Sequence, residues 1–444
     1  MRVFHHWVPG RKVALFVAEG AALSAACVGG AVVAARVLEP SGVPVGAAAL
    51  RVTWLLALGG VAAFQYALYL VDLYDLRVAW QDRARGIRVL RAAGLAAVTL
   101  GGLGLLAGAR LPPGAALGAA VGAVTGVILV RAALSVVTGP PVRVAVVGDG
   151  LRAQQLARWL EQDGDGRVEL FAAPGGEDLV GWLSRARIRV VVDAGEPGRG
   201  ALAGELLRCR LAGASVLRFE SFVERELRRL PVAALQAESL AFADELRASP
   251  LRRSVKRAFD LAVASAMVMV AWPLGLLVGL AVAVDSPGPV FYGQERVGRG
   301  GQPFRLWKFR SMRTDAEQGG AVWARKDDDR VTRVGRIIRK TRMDELPQLL
   351  NVLRGEMSLV GPRPERPMFV ESLKQQIPFY GLREAVKPGL TGWAQIRYPY
   401  GASVEDARNK LEYDLYYVKN GSLFLDAACL FHTVRHVLVG RGAR

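Results

Sequence analysis

Residues 261–284 read LAVASAMVMVAWPLGLLVGLAVAV, a run of 24 residues without a charge. By length it can cross the roughly 30 Å of hydrocarbon in a bilayer. Its flanks argue otherwise. Lys256 and Arg257 precede it, and Arg296, Arg299, Arg305, Lys308 and Arg310 follow it, so both ends prefer the cytoplasm. Pro273 lies at its middle, where the missing N–H and the ring bend a helix. A re-entrant helix over 257–284, dipping into one leaflet and returning, satisfies both flanks; a kinked full span is the alternative. Asp260, one turn after Lys256 and Arg257, is costly in lipid unless paired. Lys256, Arg257, Asp260 and Pro273 are therefore expected to anchor this element at headgroup level.

Working outward to the N-terminus, four apolar stretches at roughly 13–35, 52–71, 92–109 and 115–138 each have about the length of a membrane span. They are rich in Ala and Gly, which suits close helix packing. Arginines in the 72–91 loop and after the fourth stretch put the N-terminus and everything beyond 140 in the cytoplasm. The chain as a whole is 52% hydrophobic with a formal charge of +18. That charge suits an anionic membrane surface and phosphorylated substrates. Nucleic acid is not expected, because zinc-finger spacing, an arginine-rich tail and an aromatic-interleaved basic groove are all missing. Cys27, Cys209 and Cys429 are odd in number and far apart, which speaks against a disulfide framework or a zinc site.

Residues 141–240 alternate strand and helix patterns. PVRVAVVGDG, RIRVVVDAG and ASVLRF read as strands of a small parallel α/β domain. Gly148 to Ala153 fit G-x-G-x-x-A after a strand, the opening of a dinucleotide fold. Asp149 would set a negative charge beside a pyrophosphate, and Glu169 suits either a ribose contact or a strand flank. The domain is Rossmann-like, with or without a bound nucleotide. Residues 241–254 read as a linker.

The chemistry concentrates in 285–400. Between Arg305 and Arg342 stand twelve Lys or Arg against five Asp or Glu. Lys308 and Arg310 alternate with Leu306, Trp307 and Phe309 in a strand-like segment, so they are expected to face a ligand. Then follows RKTRMDELPQLLNVLRGEMSLVGPRPE, at 339–365. Asp344 and Glu345 come after an arginine ladder that includes Arg339, and Pro347 places a helix start close by. An acidic pair at a helix start is also a common cap. Among so many cations it suits attack on a pyrophosphate: an aspartate nucleophile, Mg²⁺ on hard oxygens with Asp344 as a ligand, and basic side chains for developing charge. The rigid turn Gly361-Pro362-Arg363-Pro364 presents an arginine suited to bidentate phosphate contact.

These stretches, with KRAFDLAVAS at 256–265, SPGPVFYGQERVGRGGQPFRLWKFRSM at 286–312 and KPGLTGWAQI at 387–396, resemble the bacterial sugar transferase family, the monotopic polyprenyl-phosphate phosphoglycosyl transferases. The resemblance covers about 255–444, and the order of parts resembles the larger exopolysaccharide-initiating members. It implies a covalent two-step reaction. Asp344 would take the phosphosugar from a UDP-sugar and release UMP; Glu345 would assist deprotonation of undecaprenyl phosphate. Lys308, Arg310, Arg339 and Arg363 would bind substrate. The expected fold is an α/β membrane protein: a four-helix transmembrane region at 1–140, the Rossmann-like domain at 141–240, and a catalytic α/β phosphoglycosyl transferase domain at 255–444 with the re-entrant helix. Its place would be the bacterial inner membrane, multi-pass, with the catalytic domain on the cytoplasmic face. Membrane lipids are expected partners, with a homodimer and downstream polysaccharide-assembly proteins as further candidates. The main rival is a non-enzymatic membrane scaffold. An oxidoreductase built on 141–235 would need a Tyr-x-x-x-Lys pair, and none stands there.

Overall fold

The structure is a computed structural model. It describes residues 141–439 except 149, 164–167, 175–177, 196–202, 244–248, 317–327, 399–400 and 402. Of the first 140 residues it describes 2–3, 6–7, 16–25 and a few single positions between 61 and 128. By its internal contacts the chain divides into two compact units, one running to Phe219 and the other from Glu220 onward together with Arg2–Trp7.

The expected four-helix transmembrane region is corrected. Among the described residues one helix is long and apolar enough to cross a membrane, Pro250–Asp285, whose most apolar 18-residue stretch has a mean hydropathy of 2.3. Most of the four expected spans lie outside the described residues, and the helix within the first of them, Phe16–Ala25, is short. That expectation rested on the length of Ala- and Gly-rich runs. Run length does not report how little apolar surface each small residue contributes.

In the first unit, β1 (Val142–Gly148), α1 (Gly150–Asp163), β2 (Val168–Ala172), α2 (Leu179–Ala186), β3 (Val190–Ala194), α3 (Ala203–Leu211) and β4 (Ser215–Arg218) follow one another. The sheet is parallel in the order β2-β1-β3-β4. Four consecutive residues of β1, Val144–Val147, are buried, the pattern of a strand covered on both faces. Ala145, Leu183, Val191 and Cys209 share its core. Gly148 has φ +117, and a Cβ there would meet the Gly195 nitrogen at 2.4 Å. Arg152 donates to the Gly195 carbonyl at 2.7 Å. The glycine at the end of β1 thus serves a close backbone approach. Glu169 pairs with Arg143, its neighbour across β1 and β2, at 3.4 Å.

The second unit carries the long helix α4 (Pro250–Asp285). Ser249 caps it by accepting from the Arg252 N–H, and Pro250 occupies the first turn, where a missing N–H costs nothing. Its 36 residues extend about 54 Å at helical rise. Pro273 lies inside it, and Met269, Val270, Trp272, Leu276 and Leu277 are exposed. Then come the antiparallel pair β5 (Phe291–Val297) and β6 (Pro303–Phe309), helices α5 (Arg333–Lys340) and α6 (Gln348–Arg354), and β7 (Ser358–Val360). After α7 (Pro367–Gln376), β8 (Gly389–Thr391) pairs in parallel with β7. Helices α8 (Trp393–Arg397), α9 (Val404–Asn420) and α10 (Leu423–Val439) close the unit.

One core gathers Leu349, Met357, Leu359, Trp393, Tyr413 and Tyr416. Leu230 and Val232, from the segment before α4, pack into the same core. Arg229 is buried with Glu412 on α9, donating Nε to Oε2 at 2.6 Å, and the Val232 N–H donates to Oε1 at 3.2 Å. Glu412→Ala leaves the Arg229 charge buried without its carboxylate. It is expected to cost about 3–5 kcal/mol, read as a lowered denaturation midpoint of the detergent-solubilised chain, and Glu412→Gln is expected to cost less.

Candidate functional site

Asp344 and Glu345 sit in a single 3₁₀ turn, Met343–Glu345, between α5 and α6. The expected helix start lies three residues further on, at Gln348. The turn is entered through Arg342, whose φ of 58 is left-handed. For a residue with a Cβ that geometry costs about 1–2 kcal/mol, so the local fold holds strain where the acidic pair is presented. Both carboxylates are buried.

The two acids have unlike surroundings. Glu345 accepts from Arg363 Nη2 at 2.9 Å and Lys308 Nζ at 3.4 Å through Oε1. Arg342 stands 3.9 Å from its other oxygen. Burial works against charge here, but Arg363, Lys308 and Arg342 outweigh it and hold Glu345 far below the usual carboxylate range. Glu345 in turn pushes the Arg363 guanidinium up. Among the described residues no hydrogen bond or ion pair engages the Asp344 carboxylate. Burial raises its pKa, while Lys308, Arg363 and Arg339 oppose the rise. Burial also lowers the Lys308 ammonium, against the pull of Glu345. One acid is committed and ionised; its neighbour is enclosed and uncommitted.

Lys308 reaches the pair because β6 is pinned to α6. The buried Asn351 accepts from the Trp307 N–H at 3.2 Å and donates to the Arg305 carbonyl at 2.7 Å. Arg363 is steadied from its other side, donating Nη1 to Gln395 Oε1 at 3.0 Å. An open cleft on the far side of Arg363, along the 361–364 turn, is lined by Val297, Gly298, Pro362, Arg363, Glu365 and Arg383, among others; Asp344 and Glu345 are not part of its lining.

The structure thus brings together Asp344, Glu345, Lys308 and Arg363. Arg339, on α5, is half-buried and acts on Asp344 through its charge. Arg310 is placed elsewhere. It is buried at the end of α4, donating to the carbonyls of Ser286 (2.5 Å), Pro287 (2.9 Å) and Val282 (3.4 Å). Gly288 leaves room for it, since a Cβ there would meet Arg310 Nη1 at 2.3 Å. Alternation with apolar residues led to the expectation that Lys308 and Arg310 both face a ligand; Lys308 meets Glu345, and Arg310 meets the end of α4.

The expected anchor residues also turn toward protein. Arg257 donates to the Val352 and Leu353 carbonyls at 2.6 and 2.7 Å, capping α6 from behind. Lys256 bridges Asp260 and Asp426 at 3.0 Å each. Asp260 accepts from Ser358 Oγ at 2.8 Å and the Leu359 N–H at 3.3 Å, and so fixes β7 just before the 361–364 turn. Pro273 is exposed. Arg342, Asn351 and Gln395 are site residues the sequence reading missed. Arg342 sits three residues before Glu345, a helical spacing that could have flagged it.

Among the described residues no group of three or more His, Cys, Asp or Glu gathers as a metal site. Mg²⁺ needs fewer protein ligands when substrate phosphates complete its shell. The uncommitted Asp344 carboxylate fits that limited role.

The pattern of the bacterial sugar transferase family matches residues 251–440. Over 247 residues the chain is 45% identical to a UDP-N-acetylgalactosamine-undecaprenyl-phosphate N-acetylgalactosaminephosphotransferase of Aeromonas hydrophila, covering 55% of this chain and 58% of that relative. A UDP-glucose:undecaprenyl-phosphate glucose-1-phosphate transferase of Caulobacter vibrioides is 43% identical over 185 residues, 41% of this chain and 69% of the relative. The exopolysaccharide production protein PSS of Rhizobium leguminosarum bv. phaseoli is 43% identical over 189 residues, 40% and 93%.

Arg310→Ala leaves the carbonyls of Val282, Ser286 and Pro287 without this donor; for the buried one, at Val282, the loss costs about 1–3 kcal/mol. It is expected to make the α4–β5 junction protease-sensitive and to lower the unfolding temperature, whereas Arg363→Ala, at a residue that touches Glu345 and not that junction, leaves the proteolysis of the junction unchanged. Equal proteolysis of Arg310→Ala and wild type would remove the capping role.

Proposed function

The chain belongs to the bacterial sugar transferase family, and on that premise we propose that it transfers a sugar 1-phosphate from a UDP-sugar to undecaprenyl phosphate. UMP is released, and the lipid-linked product begins an exopolysaccharide or related glycan. Its exposed apolar helix and its family make it membrane-associated. The catalytic part is assigned to 255–444, at the cytoplasmic face. What supports that side is the cationic flanks of the apolar run, Lys256 and Arg257 before it and Arg296, Arg299 and Arg305 after it; α4 is attached at both ends to one unit, Asp260 to Ser358 and Leu359, and Ser286 and Pro287 to Arg310.

The observation that carries the chemistry is the contrast between the two acids. Asp344, whose carboxylate has no hydrogen bond or ion pair among the described residues and is partly desolvated, is the nucleophile. Its carboxylate attacks the phosphorus that bears the sugar, the bond to the bridging diphosphate oxygen breaks, and UMP leaves with the bonding pair. A phosphate oxygen of undecaprenyl phosphate then attacks the same phosphorus and the carboxylate departs. Lys308, Arg363 and Arg339 stabilise the charge that builds on the phosphoryl oxygens. When bound, Mg²⁺ would neutralise further phosphate charge, with Asp344 the protein ligand.

Glu345 needs a more exact role than that of a plain base. With Arg363 and Lys308 on its oxygens it holds a proton poorly. An arriving diphosphate competes for those two cations, so Glu345 becomes basic enough to take a proton only once substrate is in place. Until then it keeps both cations pointed at the site.

In detergent with Mg²⁺, a short polyprenyl phosphate and a panel of UDP-sugars, the wild-type chain is expected to release UMP from at least one. Asp344→Asn is expected to lower the rate by about 10³-fold or more, and chelation to abolish it. No UMP from any UDP-sugar would leave the scaffold reading standing; full activity in Asp344→Asn would contradict the assignment of the nucleophile.

The pH profile carries a sign. Asp344 must be ionised to attack, so kcat/KM falls as pH drops through its raised pKa. Lys308 opposes that rise. Lys308→Met is therefore expected to move the acid limb to higher pH; a shift to lower pH would contradict the electrostatic assignment.

A further inference from the structure

Two prolines deprive the 361–364 turn of N–H groups, so its shape depends on what holds its carbonyls. Each carbonyl from Pro362 to Glu365 accepts a hydrogen bond. The Gly389 N–H donates to Pro362 at 2.9 Å. Arg383 Nη2 donates to Arg363 at 2.8 Å. Arg296 Nη1 donates to Pro364 at 3.0 Å, and the Val297 N–H to Glu365 at 2.9 Å. The Arg363 carbonyl belongs to the residue whose guanidinium meets Glu345, so its partner has the most leverage on the site.

That partner is itself held firmly. Arg383 lies in the 3₁₀ segment Tyr380–Ala385. It donates Nη1 to the Tyr380 hydroxyl at 2.7 Å and pairs with Asp414 of α9 at 3.0 Å. The side chains of Arg383 and Asp414 are 10% and 4% exposed. A charge pair taken this far from water is a costly way to stabilise a core, and packed apolar residues often do as well. None of the hydrogen bonds or ion pairs of Arg383 involves Asp344 or Glu345.

Resting on the transferase reading above, we propose that Arg383 is a positioning residue. Held by Tyr380 and Asp414, it fixes the Arg363 backbone so that the Arg363 guanidinium meets Glu345 and the incoming diphosphate. Its effect on the reaction passes through Arg363 alone.

The test is a double-mutant cycle on the full chain in detergent, with wild type, Arg363→Ala, Arg383→Met and the double variant. It is read as kcat/KM for UMP release and as affinity for UDP by calorimetry, with thermal unfolding in parallel. Arg383→Met is expected to lose about 10-fold in kcat/KM, mostly through KM, and to lose nothing more once Arg363 is already alanine. Arg383→Lys, which keeps one donor and the charge, is expected to recover part of the loss. Equal losses in both backgrounds would overturn the proposal, as would an Arg383→Met chain with wild-type kinetics. If Arg383→Met does not fold, Tyr380→Phe and Asp414→Asn replace it under the same rule: their losses must vanish in the Arg363→Ala background. A wild-type chain that releases no UMP but binds UDP fails the transferase reading, and the cycle is then decided by UDP affinity. A wild type with neither property ends both.

Discussion

The ion pair between Glu345 and Arg363 organises everything around it. It joins the acidic turn after α5 to the proline-bounded turn after β7, two segments that share no secondary structure. It also settles which acid is charged and occupied and which is left open. Lys308 adds a third segment, β6, to the same oxygen. Three stretches of chain thus converge on one carboxylate, and its neighbour Asp344 is enclosed by their charges without being claimed by any of them.

The rest of the second unit holds those segments in place. Asn351 ties β6 to α6. Arg257 closes the far end of α6, and Asp260 fixes β7. Both of these last residues belong to the start of the long apolar helix, whose other end is gripped by Arg310. The element expected to meet lipid is therefore part of the framework of the reacting centre. That arrangement suits an enzyme whose two substrates, one soluble and one lipidic, must reach the same few atoms.

Much of this was legible in the sequence. Asp344, Glu345 and Arg363 stood out by their company: an acidic pair, by itself a common cap, follows an arginine ladder and precedes a proline-bounded turn that presents an arginine. Lys308 stood out because a charge in an apolar strand needs a partner. What could not be read were contacts between distant residues of ordinary type. Arg229 and Glu412 are 183 positions apart, and nothing local marks Arg383 as the partner of a carbonyl twenty residues earlier. Arg310 and Asp260 show a subtler failure. That each would have a partner was expected, but a charge is satisfied equally well by a phosphate, a headgroup or a helix end, and residue type does not choose among them. The four apolar stretches near the N-terminus were read from length alone, and the structure sustains that reading for none of them among its described residues.

The most direct measurement is mass spectrometry of the peptide containing residue 344 after brief exposure of the chain to its UDP-sugar with the lipid acceptor withheld. A covalent route predicts a mass gain of one phosphosugar on Asp344, lost when undecaprenyl phosphate is added. UMP formed with no such adduct, or an adduct on another residue, would contradict the assignment of the open carboxylate as the reacting group.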